Sequence, residues 1–435
     1  MRKYPYNLPA ARFLTLALGL LAGPALAQNV NGNGQQVAGT RPPTEVPVPG
    51  HPWEQRAPYG KGQQPAVAGQ TRMGAVLTKT PYTEKVVATG LKHPWALAFL
   101  PDGRMLVTEK PGTLRIVTQS GLVSDTIKGL PPRIAYQPEQ SDAGLLDVAV
   151  DPQFATNRMF YFTYVERKHN GGTGLVVAAA KLASDEFHLE NVHKIYQVRD
   201  STSNGYAHYG SRLLFDKQGK LLVSISERMF EPTRLKTQQL SQQLGKIMRI
   251  NTDGSPAAGN PHFNPDSTRA LPELWAVGVR NPQGLAWNPA TGDLWEDEHG
   301  TQGGDEVNLI RPGHNYGWPV IAYGVEYDWK PIEGGITQKK GLEQPVYYWD
   351  PTVAPSGCAF YTGSAVPEWR NNMFVSCLAG QHLARLVIKD NKVVGEERLL
   401  LDQHQRIRDV QMGPDGNLWV VTDADNGRLI RLGAK

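Results

Sequence analysis

"PWALAFLPDGRMLVTEK", residues Pro94–Lys110, decides the fold. An apolar run leads into Pro101-Asp102-Gly103, and a second apolar run follows. Two short strands around turn residues that tolerate tight backbone geometry predict a β-hairpin. The same phrase returns as "GLLDVAVDPQFATNRMFYFTYVE" (Gly144–Glu166), "SRLLFDKQGKLLVSISE" (Ser211–Glu227) and "QGLAWNPATGDLWEDEHG" (Gln283–Gly300). It appears twice more, as "GCAFYTGSAVPEWRNNMFVSCLAG" (Gly357–Gly380) and "RDVQMGPDGNLWVVTDADNGRLIRL" (Arg408–Leu432). The six turns begin at Pro101, Asp151, Asp216, Asn288, Thr362 and Pro414, about 50 to 75 residues apart. That period exceeds one hairpin, and a hairpin cannot bury both faces alone, so each unit is read as a four-stranded blade. The expected fold is all-β, a six-bladed β-propeller over residues 80–435. Loops inserted between blades account for the unequal spacing and gather where sites are built. A pair of β-sandwiches with coincidental turns is the competing reading. Helix is scarce: "TRLKTQQLSQQLGKIMRIN" (Thr233–Asn251) reads as a surface turn leading into a strand.

The composition agrees. Of 435 residues, 40% are hydrophobic and 20% charged, enough to bury a core, and Gly 45 with Pro 33 favours short strands and tight turns over a helical bundle. Residues 1–27 combine basic Arg2, Lys3 and Arg12 with an apolar run, Phe13–Leu21, and a small-residue Ala25-Leu26-Ala27. This is the layout of a cleaved secretory signal peptide, and it implies a periplasmic or secreted protein. Its removal takes the formal charge from +4 to +1. A chain so nearly neutral has no reservoir of charge for nucleic acid, and no other stretch has the length for stable membrane insertion. Residues 28–79 form a leader, Gly-, Pro-, Gln- and Asn-rich to about Gly74, and are expected to be flexible or loosely draped on the body. Cys358 and Cys377 are compatible with one disulfide or with two buried thiols, and without a CxxC pair they do not suggest zinc. No CxxCH haem motif occurs, so any electron relay is a separate partner.

Hydrolase and nucleotide signatures are missing: no GxSxG, HExxH, GxxxxGK[ST] or helix-opening GxGxxG. The candidates are polar residues where the repeated strands begin. His208 precedes the inner strand of the third repeat, Arg280 and Asn281 that of the fourth, and Arg406 and Arg408 that of the last. Arg406 and Arg408 stand at alternate positions of an extended segment and so share a side. Inward arginines form a carboxylate or phosphate clamp. "EDEHGTQGGDEVNL" (Glu296–Leu309) offers oxygen donors beside a glycine-bearing loop, suited to calcium or equally to a solvated acidic loop.

The chain from about Thr80 onward resembles the soluble pyrroloquinoline-quinone (PQQ)-dependent sugar dehydrogenases, the glucose/sorbosone and aldose sugar dehydrogenase family. The resemblance is carried by "HPWALAFLPDGRMLVTE", "GLLDVAVDP", "RNPQGLAWNP", "EHGTQGGDEVNLIRPGHNYGWP" and "PTVAPSGCAFY". It implies PQQ- and calcium-dependent oxidation of aldose sugars to lactones, with electrons passed to an external acceptor, either a redox protein or a quinone. It assigns His208 as the base that takes the anomeric hydroxyl proton while hydride passes to C5 of the quinone. Arg280 stands near the reacting oxygens, and Arg280, Asn281, Tyr327, Thr352, Arg406 and Arg408 contact PQQ. Gly300 and Thr301 would hold the cofactor's calcium through backbone carbonyls. Glu306 and Tyr316 resemble ligands of a second, structural calcium. Three positions depart from the family pattern. Asp142 stands where relatives place a cofactor-contacting Gln, Ala207 where glucose-specific members have Asp, and Ala379 where they have a cofactor-binding Lys. Asp142 and Ala379 remove positive charge from the site, and Ala207 implies broad aldose specificity. Two other readings are a calcium-dependent lactonase-type propeller hydrolase and a non-catalytic binding propeller with a decayed cofactor site. The first would need carboxylates and amides at the channel centre, where this chain offers His and Arg.

Overall fold

The computed structural model describes residues 48–138, 142–169, 171–199, 207–229, 231–263 and 270–434. The six repeats become six antiparallel sheets around a common axis. Their innermost strands are Pro94–Phe99, Leu145–Val150, Gly210–Phe215, Pro282–Trp287, Pro355–Phe360 and Ile407–Met412, defining blades 1 to 6. Each innermost strand touches the next, and that of blade 6 touches blade 1, so the ring closes. The expected all-β six-bladed propeller is the fold observed. Blades 2 to 6 have four strands; blade 1 has three, its outer edge carrying an isolated bridge between Val117 and Val123 and the Ser124 and Ile127 amides on the Ile116 and Leu114 carbonyls.

Closure comes from an element outside the repeats. The first strand, Tyr82–Leu91, pairs antiparallel with the last, Gly427–Ala434, and supplies the outermost strand of blade 6. Both chain ends of the ring are thereby held in one sheet, which removes an open edge.

Burial follows position in the blade. Second strands such as Leu221–Ile225 and Leu418–Thr422 are buried at every residue, because neighbouring blades cover both faces. The outermost Tyr82–Leu91 is largely exposed or half-buried. Apolar clusters fill the wedges between successive blades: Leu222 with Leu294, Trp295 with Val375, Phe374 with Val420, and Trp419 with Val107. The hairpin turns form as the sequence dictates. Gly103, Gly219 and Gly416 adopt φ of +85°, +70° and +78°, a left-handed conformation that glycine reaches without steric cost.

Below the pit the axis is charged and paired. Arg212 of blade 3 reaches Asp147 of blade 2 at 2.9 Å and Asp409 of blade 6 at 3.2 Å, and its Nε donates to the Gln283 carbonyl of blade 4. One buried guanidinium thus crosslinks four blades. Cys358 and Cys377 are free buried thiols on adjacent strands of one hairpin.

The signal-peptide reading falls on residues 1–27, outside the described residues. Of the leader over residues 28–79, expected to be flexible or loosely draped on the body, residues 28–47 lie outside the described residues and the rest is seen from residue 48 onward. There the chain lies against blades 4 and 5, with Trp53, Gln70 and Ala75 buried. It lacks apolar periodicity because it borrows the body's edges and builds no core of its own.

Candidate active site

Inner strands begin at one end of the ring, and antiparallel second strands return to that end. Both sets of strand ends therefore meet at the axial pit. His208 enters just before blade 3, with φ +52° and 5% exposure. Its Nδ1 lies 3.2 Å from Oε1 of Glu227, which follows the returning strand of the same blade. Burial, and next the charge of Arg280, depress the His208 pKa, opposed by Glu227 and Asp142. The ring is thus neutral at physiological pH. With Nδ1–H donated to Glu227, Nε2 is the basic nitrogen, and it has no hydrogen-bond partner among the described residues. Glu227 itself is fully buried. Burial works to raise its pKa, but the His208 hydrogen bond and Arg280 hold it below the ordinary carboxylate value.

Arg280, 2% exposed, donates from Nη1 to the carbonyls of His299, at 2.9 Å, and Gly300. Its Nη2 reaches the Tyr327 hydroxyl at 3.4 Å, and its Nε lies 3.9 Å from Glu227. Glu298 fixes this arginine's backbone by accepting the amide protons of Arg280 and Asn281. Asn281 accepts from the Gly210 amide and donates to Nδ1 of His299 at 3.4 Å, so it joins two walls of the pit. On the far side, Arg408 is bound to Asp423 at 2.7 Å and also reaches Gln283 of blade 4 at 3.4 Å. Arg406, half-buried, has no hydrogen-bond partner for its guanidinium among the described residues.

Thr352 accepts the Gly303 amide at 2.6 Å and its hydroxyl lies 3.4 Å from the Thr301 carbonyl. Asp305 accepts the Gly300, Val353 and Ala354 amides, each at 2.7 Å, and so ties this loop to the start of blade 5. Gly300 is required where it stands, since a Cβ would lie 2.3 Å from the Gly303 carbonyl oxygen. His208, Arg280, Asn281, Gly300, Thr301, Tyr327, Thr352 and the two late arginines therefore converge on one end of the axis. Glu306 and Tyr316 do not reach the pit mouth; they line a small cavity behind Arg280. The Tyr316 hydroxyl is already engaged with Leu309 and Arg311, leaving only its carbonyl as a donor to a cation.

The sequence reading missed the residues that follow the returning strands. Lys110, Glu227, His299 and Asp423 all occupy such positions. Asp423 faces two cations, Lys110 at 3.1 Å and Arg408 at 2.7 Å, and pairs with Nδ1 of His93 at 2.8 Å. Burial alone would raise its pKa; Lys110 and Arg408 bring it well below the ordinary range. Lys110, from blade 1, is buried beside Asp423, and burial lowers its pKa against the pull of that carboxylate. Asp142 is ionised there too. Burial works to raise its pKa, but His208 and its amide, which lies 3.1 Å away, and Arg408 lower it. The available signal was the phase of the repeat: in "MLVTEK", "EDEHG" and "VVTD" a polar residue closes each second strand.

Several buried polar atoms at the pit lack partners: Arg280 Nε, Arg408 Nε, His299 Nε2 and Glu227 Oε2. Burial, and next the proximity of His208, push the His299 pKa down to about 3, so with Nδ1 accepting from Asn281 its Nε2–H is an unmatched donor. Orphan donors on this scale fit a polar, anionic guest with several acceptors. Among the described residues no three His, Cys, Asp or Glu side chains are grouped to hold a metal ion. The donors that suit a hard cation are instead mixed. The Gly300 carbonyl already faces a positive group, Arg280, and the buried Glu296 and Glu298 with the half-buried Glu306 surround the Asn308 amide. Burial, and next repulsion from Glu298, raise the pKa of Glu296 and Glu306; burial raises that of Glu298 to about 7 against the pull of the Arg280 and Asn281 amides.

The family model for glucose/sorbosone dehydrogenases matches residues 91–431. Aldose sugar dehydrogenase YliI of Escherichia coli is 37% identical over 350 residues, covering 80% of this chain and 92% of that protein. A crystal structure of a glucose dehydrogenase superposes with TM-score 0.76 at 40% identity, over 81% of this chain and all of the other. The PQQ-bound aldose sugar dehydrogenase of Streptomyces coelicolor superposes with TM-score 0.66 at 26% identity, over 82% and 99% of the two chains.

Proposed function

The chain belongs to the glucose/sorbosone dehydrogenase family, and on that footing we propose that it is a quinoprotein oxidising aldose sugars to lactones with PQQ and calcium. The observation that carries this reading is the pairing, in one pit, of a neutral His208 whose Nε2 is unengaged with Arg406 and three orphaned donors suited to a polyanionic cofactor. Arg406, Arg408 and Lys110 would hold the carboxylates of PQQ, with Asn281, Tyr327 and Thr352 along its edge. Gly300 and Thr301 would offer carbonyls to the calcium at the cofactor, and Glu306 with Tyr316 to a structural one. When bound, PQQ supplies a two-electron acceptor for the hydride leaving the anomeric carbon.

The chain's own part is proton transfer and orientation. His208 Nε2 accepts the proton of the anomeric hydroxyl, which raises electron density at that carbon and favours departure of hydride. Glu227 fixes the ring's tautomer and stabilises the imidazolium that forms. Arg280, steadied by Glu298 and Tyr327, polarises the reacting oxygens. The residue immediately before His208 is Ala207 and brings no carboxylate of its own to select one sugar, which supports broad aldose use.

The electrons then go to a separate acceptor, a redox protein or a quinone. No helix among the described residues is long and apolar enough to cross a membrane; with the composition of residues 1–27, this supports a periplasmic or secreted enzyme. A lactonase is disfavoured because the pit carboxylates Glu227, Asp142 and Asp423 are taken up by His208, Arg280, Lys110 and Arg408, and a decayed binding propeller because His208, Arg280, Arg406 and Arg408 are all retained. The test is reconstitution with PQQ and calcium, followed by assay of several aldoses with a dye acceptor. Sugar-dependent dye reduction is expected; none with any aldose would overturn the proposal.

A further inference from the structure

Ahead of the family match, which begins at residue 91, residues 50–76 cross the outer edges of blades 4 and 5. At blade 5, Ala75 pairs in parallel with Glu396, and the Trp53 indole donates to the Glu396 carbonyl at 2.9 Å. At blade 4, the Gln70 carbonyl accepts the Tyr348 amide, and its side chain binds the Pro345 carbonyl and the Tyr323 hydroxyl. These contacts cover two sheet edges and explain attachment alone.

Two further contacts point toward the pit. The Tyr59 and Gly60 amides donate to the two oxygens of Asp350, at 2.8 and 2.9 Å. Gln63 clasps Gly324 from both sides: Nε2 donates to its carbonyl at 3.0 Å, and Oε1 accepts its amide at 2.8 Å. Both partners lie one layer behind site residues. Asp350 packs on Gly303, where a Cβ would sit 2.3 Å from the carboxylate, and Gly303 donates to Thr352. Gly324 precedes Val325, whose carbonyl accepts the Thr301 hydroxyl at 2.5 Å and whose backbone pairs with Gln302. Tyr327, two residues on, meets Arg280.

We propose that residues 50–76 are a positioning strap: clasping Asp350 and Gly324, they set Thr301, Tyr327 and Thr352 in the geometry that receives the cofactor. The cofactor part of this inference rests on the PQQ reading above. A strap that orders these loops before the cofactor arrives lowers the ordering cost of binding, so the two events are thermodynamically linked.

The test compares the full chain with Gln63→Ala and with Gly60→Ala, whose new Cβ would lie 2.0 Å from the Gln63 amide oxygen and displace it. Hydrogen exchange is read without cofactor, and PQQ affinity by quinone absorbance in calcium buffer without sugar. Exchange at Gly303, Gly324 and Val325 should quicken by roughly 10-fold, with the blade 1 strands unchanged. PQQ affinity should fall about 5- to 20-fold while turnover at saturating PQQ stays within about twofold. Unchanged loop exchange in the variants overturns the strap, as does faster exchange with unaltered PQQ affinity. If the parent chain takes up no PQQ, the quinoprotein reading fails instead, and loop exchange alone decides the strap. Should Gly60→Ala not fold, Gln63→Ala, a half-buried side chain, carries the comparison.

Discussion

Nδ1 of His208 lies 3.2 Å from Oε1 of Glu227, and the same oxygen stands 3.9 Å from Nε of Arg280. One buried carboxylate thus serves both groups assigned to the reaction. It makes imidazole the stronger base while Arg280 weakens it. Replacing His208 by Gln should leave PQQ binding intact and slow turnover by about 10² to 10⁴. Glu227→Gln should slow it by about 10-fold or more and move the acid limb of the pH–rate profile to lower pH, because the imidazole loses the partner that raised its pKa. A Glu227→Gln profile superposing on the parent's would remove that residue from the account.

Arg406 and Arg408 make opposite predictions for fold and cofactor. Arg408 is hydrogen-bonded to Asp423, so Arg408→Met should lower Tm; Arg406 only faces that carboxylate, with no guanidinium hydrogen bond among the described residues, so Arg406→Met should leave Tm within a few degrees. Both should weaken PQQ binding by about 10-fold or more, measured by titration at constant ionic strength. Equal Tm losses in the two variants would contradict this division.

Asp423 makes stability depend on pH in a definite sense. Its native pKa is depressed, so its contribution is complete above the unfolded value of about 3.9 and is lost as pH falls through the native one. Asp423→Asn leaves Lys110 and Arg408 unbalanced and should cost about 3–5 kcal/mol at pH 7. The gap between variant and parent, followed by urea unfolding, should narrow as the pH drops below about 4. A gap independent of pH would show that the carboxylate's charge is not what matters.

The departure at Asp142 is testable in the same way. Its carboxylate faces His208 and Arg408, so Asp142→Asn should tighten PQQ binding several-fold and lower the kinetic pKa of His208. Weaker binding would mean that Asp142 holds the cofactor rather than opposing it.

The ring was legible because Pro101-Asp102-Gly103 and its five counterparts mark every hairpin at a recoverable period. Its closure was not, because Tyr82–Leu91 belongs to no repeat and finds its partner nearly 350 residues away. His208, Arg280, Arg406 and Arg408 could be found as polar residues at the starts of inner strands. Glu227, His299, Lys110 and Asp423 were overlooked although returning strands reach the same end, a consequence of antiparallel pairing that motif reading does not track. The strap was hidden for another reason: Gln63 grips the backbone of a distant loop and Gly60 gives its own amide to a distant carboxylate, and composition reports only that such a segment lacks a core of its own.

The most direct test of the central claim is a crystal structure of the protein soaked with PQQ and calcium. The account predicts the quinone in the axial pit, its carboxylates on Arg406 and Arg408, and His208 Nε2 facing the space left for a sugar. An unoccupied pit, or a quinone bound away from these residues, would contradict it.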